Sequence, residues 1–203
     1  LLVSFLTSLS ALSQEISPKA SVKPISGGPP IPLELVFGHE QLNFQLIVKK
    51  KFTPISKFDL LVISVFSENW DKENPIGNSV VIPFQVNYSI GKKGFAVAAG
   101  GEGNSVVGFS PLAGVEHSFA NRKWLAITVL NFLINEQQDV KLFGLYEYKP
   151  PINETWVLYS RIQFVYNLGL AENQHNRSFL YLRLGLKKGP LGFGLAANWD
   201  QYG

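Results

Sequence analysis

From residue 33 onward the chain alternates apolar and polar positions with a period of two almost throughout. Leu42, Phe44, Leu46 and Val48 are interleaved with Asn43, Gln45 and Ile47. Val80, Ile82, Phe84, Val86, Tyr88 and Ile90 alternate with Gln85, Asn87 and Ser89. Trp156, Leu158, Ile162, Phe164, Tyr166 and Leu168 are set against Tyr159, Arg161, Gln163 and Asn167. The same holds for Leu180, Leu182, Leu184 and Leu186 against Tyr181, Arg183 and Lys187, and for Leu191, Phe193 and Leu195 against Gly192, Gly194 and Ala196. Successive side chains on a strand point to opposite faces, so the pattern predicts strands with one apolar face each. The predicted strands cover 33–38 (the weakest), 41–49, 57–67, 79–91, 94–101, 110–119, 123–134, 139–149, 154–169, 177–187 and 190–199. Helical spacing prevails over no useful length.

These segments are long against the mode of about five or six residues in soluble sheets, and they match the roughly 9–11 residues that cross a bilayer as a strand. Several connections are short, as at Gly91-Lys92-Lys93-Gly94 and Lys187-Lys188-Gly189-Pro190, which reuse one hairpin chemistry. Long strands, short turns and one apolar face per strand predict an all-β, up-and-down antiparallel transmembrane barrel. A helical membrane protein is excluded, because no stretch reaches about 18 consecutive apolar residues. The best run, Trp124 to Leu133, already contains Thr128 and Asn131.

Charge along the turns tests the strand count. In a meander, alternate turns lie at opposite ends, here A and B. The end A turns near 49–57, 91–94, 120–123, 149–153 and 187–190 hold 11 of the 18 bases and no acid. The end B segments (39–41, 68–78, 102–107, 135–139, 171–177 and the tail after Trp199) hold 9 of the 15 acids, with Lys72 and Arg177 as the bases. A miscount would swap the ends of every later turn and mix the signs. The longest connection, 68–78, is at end B, so end A is expected in the periplasm, where the turns of outer-membrane barrels are short. Both termini of such a barrel lie in the periplasm, which requires an even strand count. Eleven strands are read, so about twelve are expected, the closing C-terminal one missing from this fragment; ten is the fallback if 33–38 is no strand.

Residues 1–13 are an apolar run ending in small residues, with Ala11 and Ser13 at the −3 and −1 positions of a cleavage before Gln14. They read as a truncated signal peptide, in a chain without Met that begins inside its reading frame. Residues 14–32, with five prolines and Gly27-Gly28, form a lead-in, and 33–203 form the barrel domain. Composition narrows the choices further. The 203 residues are 46% hydrophobic and 16% charged, with a net charge of +3. That balance excludes disorder and gives no argument for nucleic acid. The absence of Cys removes disulfides, thiolate metal sites, a lipoprotein anchor and a Cys nucleophile.

Chemistry-bearing motifs are few. Gly192-Phe193-Gly194-Leu195-Ala196-Ala197 has the letters of a dinucleotide fingerprint but lies within a strand, where the glycines face away from Leu191, Phe193 and Leu195. Gly100-Gly101-Glu102-Gly103-Asn104 lacks the Lys-Ser/Thr sequel of a phosphate loop. His39, His117 and His175 have no metal-ligand spacing, and no spacing joins His117 with Ser110 or Ser118 into a hydrolase site. No enzyme activity, cofactor or metal is therefore expected. The informative set is polar. By alternation Gln85, Asn87, Glu116, Lys141, Glu147, Arg161, Gln163 and Arg183 point away from lipid and line the lumen, as an open pore, a small-solute site or a packed network of paired charges. Trp70, Trp124, Tyr146, Tyr148, Trp156 and Trp199 fall near strand ends, where membrane-interface aromatics gather.

The Asn121-Arg122-Lys123-Trp124 and Lys187-Lys188-Gly189-Pro190 hairpins and the Leu191-Gly-Phe-Gly-Leu-Ala-Ala-Asn-Trp-Asp-Gln-Tyr-Gly203 ending carry a resemblance. Over about residues 40–203 the chain resembles small, uncharacterised outer-membrane β-barrel proteins of Bacteroidota, a porin-like family. The resemblance implies an outer-membrane location, lipid as the surrounding partner and a final strand ending in an aromatic residue, which this sequence lacks. It implies no ligand and no catalytic residue.

The expected function is a narrow porin-like channel, passing small solutes, or a structural barrel. The alternative is a soluble secreted β-barrel or sandwich with an apolar ligand inside, which would turn the apolar face inward.

Overall fold

A computed structural model describes residues 31–71, 73 and 78–203. The expected signal peptide and all but the last two residues of the expected lead-in lie outside the described residues. Eleven strands follow one another: β1 (Leu33–Phe37), β2 (Gln41–Lys51), β3 (Phe58–Asn69), β4 (Ser79–Ile90), β5 (Phe95–Asn104), β6 (Gly108–Ala120), β7 (Trp124–Leu133), β8 (Asp139–Tyr148), β9 (Trp156–Gly169), β10 (Gln174–Lys188) and β11 (Leu191–Tyr202). Each pairs antiparallel with its neighbour in sequence, in the order β1 to β11. The result is a nearly closed up-and-down barrel with one unsealed seam, between β1 and β11.

These are the eleven strands expected from the alternation, the short first one included. A twelfth, closing strand is not among the described residues. Two end B loops are shorter than expected, because β5 runs on to Asn104 and β10 starts at Gln174. Glu102, expected in a turn, is therefore a strand residue and is buried, as is Asp139, the first residue of β8 where the expected strand also began. At end A, the β8–β9 connection continues to Thr155 and brings Glu154 to that end, so end A is not free of acids.

The turns follow local chemistry. Gly91 and Gly94 take φ of 67° and 84° around the β4–β5 hairpin, a left-handed region that costs glycine nothing. Asn121 and Asn153 each accept two backbone N–H bonds through Oδ1, closing the β6–β7 and β8–β9 connections.

Register sets the tilt. The row of partners from Glu34 runs through Gln45, Val65, Val81 and Asn104 to Gly108, from the middle of β2 to the first residue of β6. The row from Arg183 runs through Arg161, Glu147 and Leu125 to Ala120, the last residue of β6. Glu34 and Arg183 nonetheless meet by a hydrogen bond. The sheet therefore comes round on itself with a stagger, as tilted barrel strands must.

The two faces are unlike. Outward positions carry Phe84, Val86, Val97, Val115, Leu130, Phe132, Ile162, Leu180, Leu184 and Phe193, all exposed. Inward positions carry Asn43, Gln45, Asp59, Gln85, Asn87, Glu116, Asn131, Glu147, Arg161, Gln163 and Arg183, all buried. The interior also holds an apolar cluster of Ile47, Leu61, Ile63, Ile127, Val129, Phe143 and Leu145 from β2, β3, β7 and β8.

Candidate functional site

The inward faces build two polar clusters and a cavity. The first cluster joins β2, β3, β4, β6 and β7. Lys49 Nζ donates to Asp59 Oδ1 at 2.8 Å and to Glu116 Oε1 at 2.5 Å. Asn87 Nδ2 bridges the same two acids at 2.7 and 2.8 Å. Gln85 Nε2 donates to Asn87 Oδ1 at 2.8 Å, and Gln85 Oε1 accepts from Asn131 Nδ2 at 2.9 Å. Asn87 is 0% exposed. Two carboxylates around one ammonium are held by amide donors, which is how a buried group of charges is kept satisfied.

The second cluster spans the seam. Glu34, on β1, accepts from Arg161 Nη2 on β9 and from Arg183 Nε on β10, the latter at 2.6 Å. Arg161 also donates to Gln45 Oε1 at 3.2 Å, and Gln45 Nε2 donates to Gln163 Oε1 at 3.0 Å. Glu147 lies 4.0 Å from Arg161 Nη1 and takes bonds from Tyr159 Oη at 3.3 Å and Lys149 Nζ at 2.6 Å. Arg183 Nη1 donates to Asn198 Oδ1 at 2.7 Å on β11. Charge-assisted contacts thus link β1 to β9 and β10, and through Arg183 to β11, where the backbone ladder is missing.

The cavity occupies the end B half of the lumen and measures about 360 Å³. Much of its wall is apolar, with Leu61, Ile63, Val65, Val129, Phe143 and Val165, and polar side chains such as Ser79, Asn104, Gln137 and Asn176 line the rest. Gln85 and Gln163, from the polar clusters, lie at its inner end, and exposed Val106 and Val107 of the β5–β6 turn reach its rim. Lys141 Nζ holds both carboxylate oxygens of Glu102 at 2.6 and 2.7 Å beside the cavity.

All eight residues assigned to the lumen from the sequence stand on inward positions. The structure splits them between neighbourhoods: Gln85, Asn87 and Glu116 in the first cluster, Glu147, Arg161, Gln163 and Arg183 in the second, and Lys141 with Glu102 at the cavity. The sequence reading missed Glu34, Lys49, Asp59 and Glu102. Glu34 was discoverable, because it interrupts Leu33 and Leu35 in the same alternation. Lys49 and Glu102 were assigned to turns or strand ends, and only the longer strands turn them inward; Asp59 lay within the expected strand 57–67, at an inward parity that the reading did not use.

The six aromatics all stand on outward positions or just beyond strand ends. Trp124 and Tyr148 are register partners at end A with rings 4.3 Å apart. Trp156 packs on Phe193 at 5.9 Å, and Lys188 Nζ lies 5.6 Å from its ring. Tyr146 Oη is 2.8 Å from Thr128 Oγ1. Trp70, beyond β3, donates from Nε1 to the Gly38 carbonyl at 3.0 Å, joining two end B connections. Trp199 is 64% exposed and pairs with Leu180 of β10.

Gly192 and Gly194 lie in β11, with no helix after them, so the dinucleotide letters have no matching context. His117 packs on Phe95 at 4.6 Å and His175 lies 2.7 Å from Ser178 Oγ. No group of three or more metal-ligand side chains occurs among the described residues. No helix among them is long and apolar enough to cross a membrane. No family model matches the chain, and no curated protein matches it.

Proposed function

We propose that this chain is an integral outer-membrane β-barrel whose lumen is closed at end A, a structural barrel with a blind inner cavity rather than an open porin. The observation that carries the reading is the inversion of its faces: ion pairs inside, large apolar side chains outside. A charge facing hydrocarbon costs about 2–4 kcal/mol near the midplane, so a lipid-embedded barrel keeps its charges within. In water, the outward Phe, Val, Leu and Trp side chains would form a continuous apolar surface of a kind soluble monomers rarely expose. The hairpins and C-terminal motif that resemble Bacteroidota outer-membrane barrels point the same way. The short end A turns, rich in Lys and Arg, face the periplasm in this reading.

The closed lumen follows from packing. Asn87, Glu116, Ile127, Leu145, Arg161 and Arg183 are all buried and fill the end A half. A soluble barrel that carries an apolar ligand is the second reading, and the apolar wall of the cavity favours it. It leaves the outer face without a partner.

The test is expression behind an export signal in an outer-membrane host, followed by gel analysis of the detergent-extracted membrane with and without boiling. A heat-modifiable band is the expected result. A soluble, heat-insensitive protein in the periplasm would overturn the membrane reading.

A further inference from the structure

We propose that the end B cavity is a binding site for a neutral, mainly apolar small molecule bearing a carbonyl or hydroxyl oxygen. The inference goes beyond the membrane reading, because the cavity has the same lining whether the outer face meets lipid or not. At about 360 Å³ it falls within the roughly 300–1,000 Å³ of small-molecule sites, which pair an apolar wall with a few placed polar groups.

Three observations set the ligand's chemistry. The wall is formed by Ile63, Val65, Val129, Leu133, Phe143 and Val165 among others, so most of the ligand's surface must be apolar. The ionisable side chains that line it are Glu102 and Asp139 against Lys141 and Arg177, besides His175 at the rim, so acids and bases balance. Glu102 is held by Lys141, Asp139 by Asn135 and Asn176, and Arg177 by Asp200. A charged ligand would shed its hydration here without gaining a counter-charge, which excludes fatty-acid anions and alkylammonium ions as the preferred occupants.

The third observation is an unmet donor and an unmet acceptor on one face of β9. Gln163 is 0% exposed; its Oε1 accepts from Gln45, but its Nε2 has no partner among the described residues. Asn167, two inward positions nearer the mouth, is buried with Oδ1 unpartnered. Both residues line the cavity. Buried polar groups are normally satisfied, and a ligand oxygen at the inner end would take the Gln163 proton, with a hydroxyl donor nearer the mouth for Asn167.

The experiment uses the full chain in lipid nanodiscs, with Leu, Ile and Val methyls labelled for NMR, titrated with 1-hexanol, hexanoate and hexylammonium. The inward methyls of Ile63, Val129, Leu133 and Val165 report the cavity; the outward methyls of Leu130, Leu180 and Leu184 report partition into the surrounding lipid. The expected result is saturable shifts of the inward set with 1-hexanol, at least tenfold weaker with either ion. Val165→Phe, which fills the space, should abolish them while leaving the outward spectrum in place. Inward and outward methyls shifting together without saturation, no inward shift, or an ion binding as tightly as the alcohol would each overturn the proposal. If the protein proves soluble, the membrane reading fails alone, and the same titration in buffer reads the cavity.

Discussion

The fate of single charged residues depends on partners far away in sequence. Glu34 meets Arg183 across 149 positions and Lys49 meets Glu116 across 67. Breaking a buried ion pair by removing one partner costs about 3–5 kcal/mol, because the other charge stays buried. Glu34→Gln leaves two buried guanidinium groups short of their shared carboxylate, while Arg161 keeps Gln45 and, at 4.0 Å, Glu147. We expect a loss of about 3 kcal/mol in urea unfolding from lipid vesicles. The triple variant Glu34→Leu, Arg161→Met, Arg183→Leu should recover most of it, since apolar replacement of a whole buried set is often neutral. An unchanged midpoint for Glu34→Gln would show that these contacts do not hold the seam.

At the scale of the strand, alternation decides which face a residue occupies, and it was legible from Phe44 to Leu195 without any knowledge of the partner. Leu130 is outward on β7, between Val115 and Leu142 of the neighbouring strands. In lipid, Leu130→Arg should destabilise the barrel by about 2–4 kcal/mol. In water, an exposed substitution of this kind stays within about 0.5 kcal/mol. Equilibrium unfolding of that one variant therefore separates the two readings. Close approach makes a second demand. Gly194 faces Gly185 across β10 and β11, and a Cβ on Gly194 would lie 2.3 Å from the Leu184 carbonyl oxygen and 2.5 Å from Gly185 Cα. Only glycine lets the two backbones pack this closely. Gly194→Ala should lower stability by about 1–3 kcal/mol through overpacking, read as an earlier loss of the folded band on a temperature-stepped gel.

For the whole molecule, the question is what passes through. Eight-stranded barrels are filled by side chains and those of 16–18 strands leave a channel, so eleven strands decide nothing by number alone. The proposed closed barrel rests on packing instead: buried side chains fill one end and the other holds the cavity. In planar bilayers the purified barrel should give no steady unit conductance. Discrete, long-lived current steps from the wild-type protein would mean that the clusters are not a plug.

The sequence by itself determined the period-two faces, the succession of strands, the meander and the inward placement of Arg161, Gln163 and Arg183. Those are local properties, because the direction of a side chain on a strand depends on parity alone. It could not determine strand ends to the residue, so Glu102 was misplaced into a turn. Only the tertiary structure decided which charges pair, that Glu34 links β1 to the far edge of the sheet, and that the interior divides into a packed end and an end that holds the cavity. The reason is geometric. Strand tilt shifts each row of side chains against the next, so residues that meet inside the barrel are fixed by the accumulated register of all eleven strands and by no single segment.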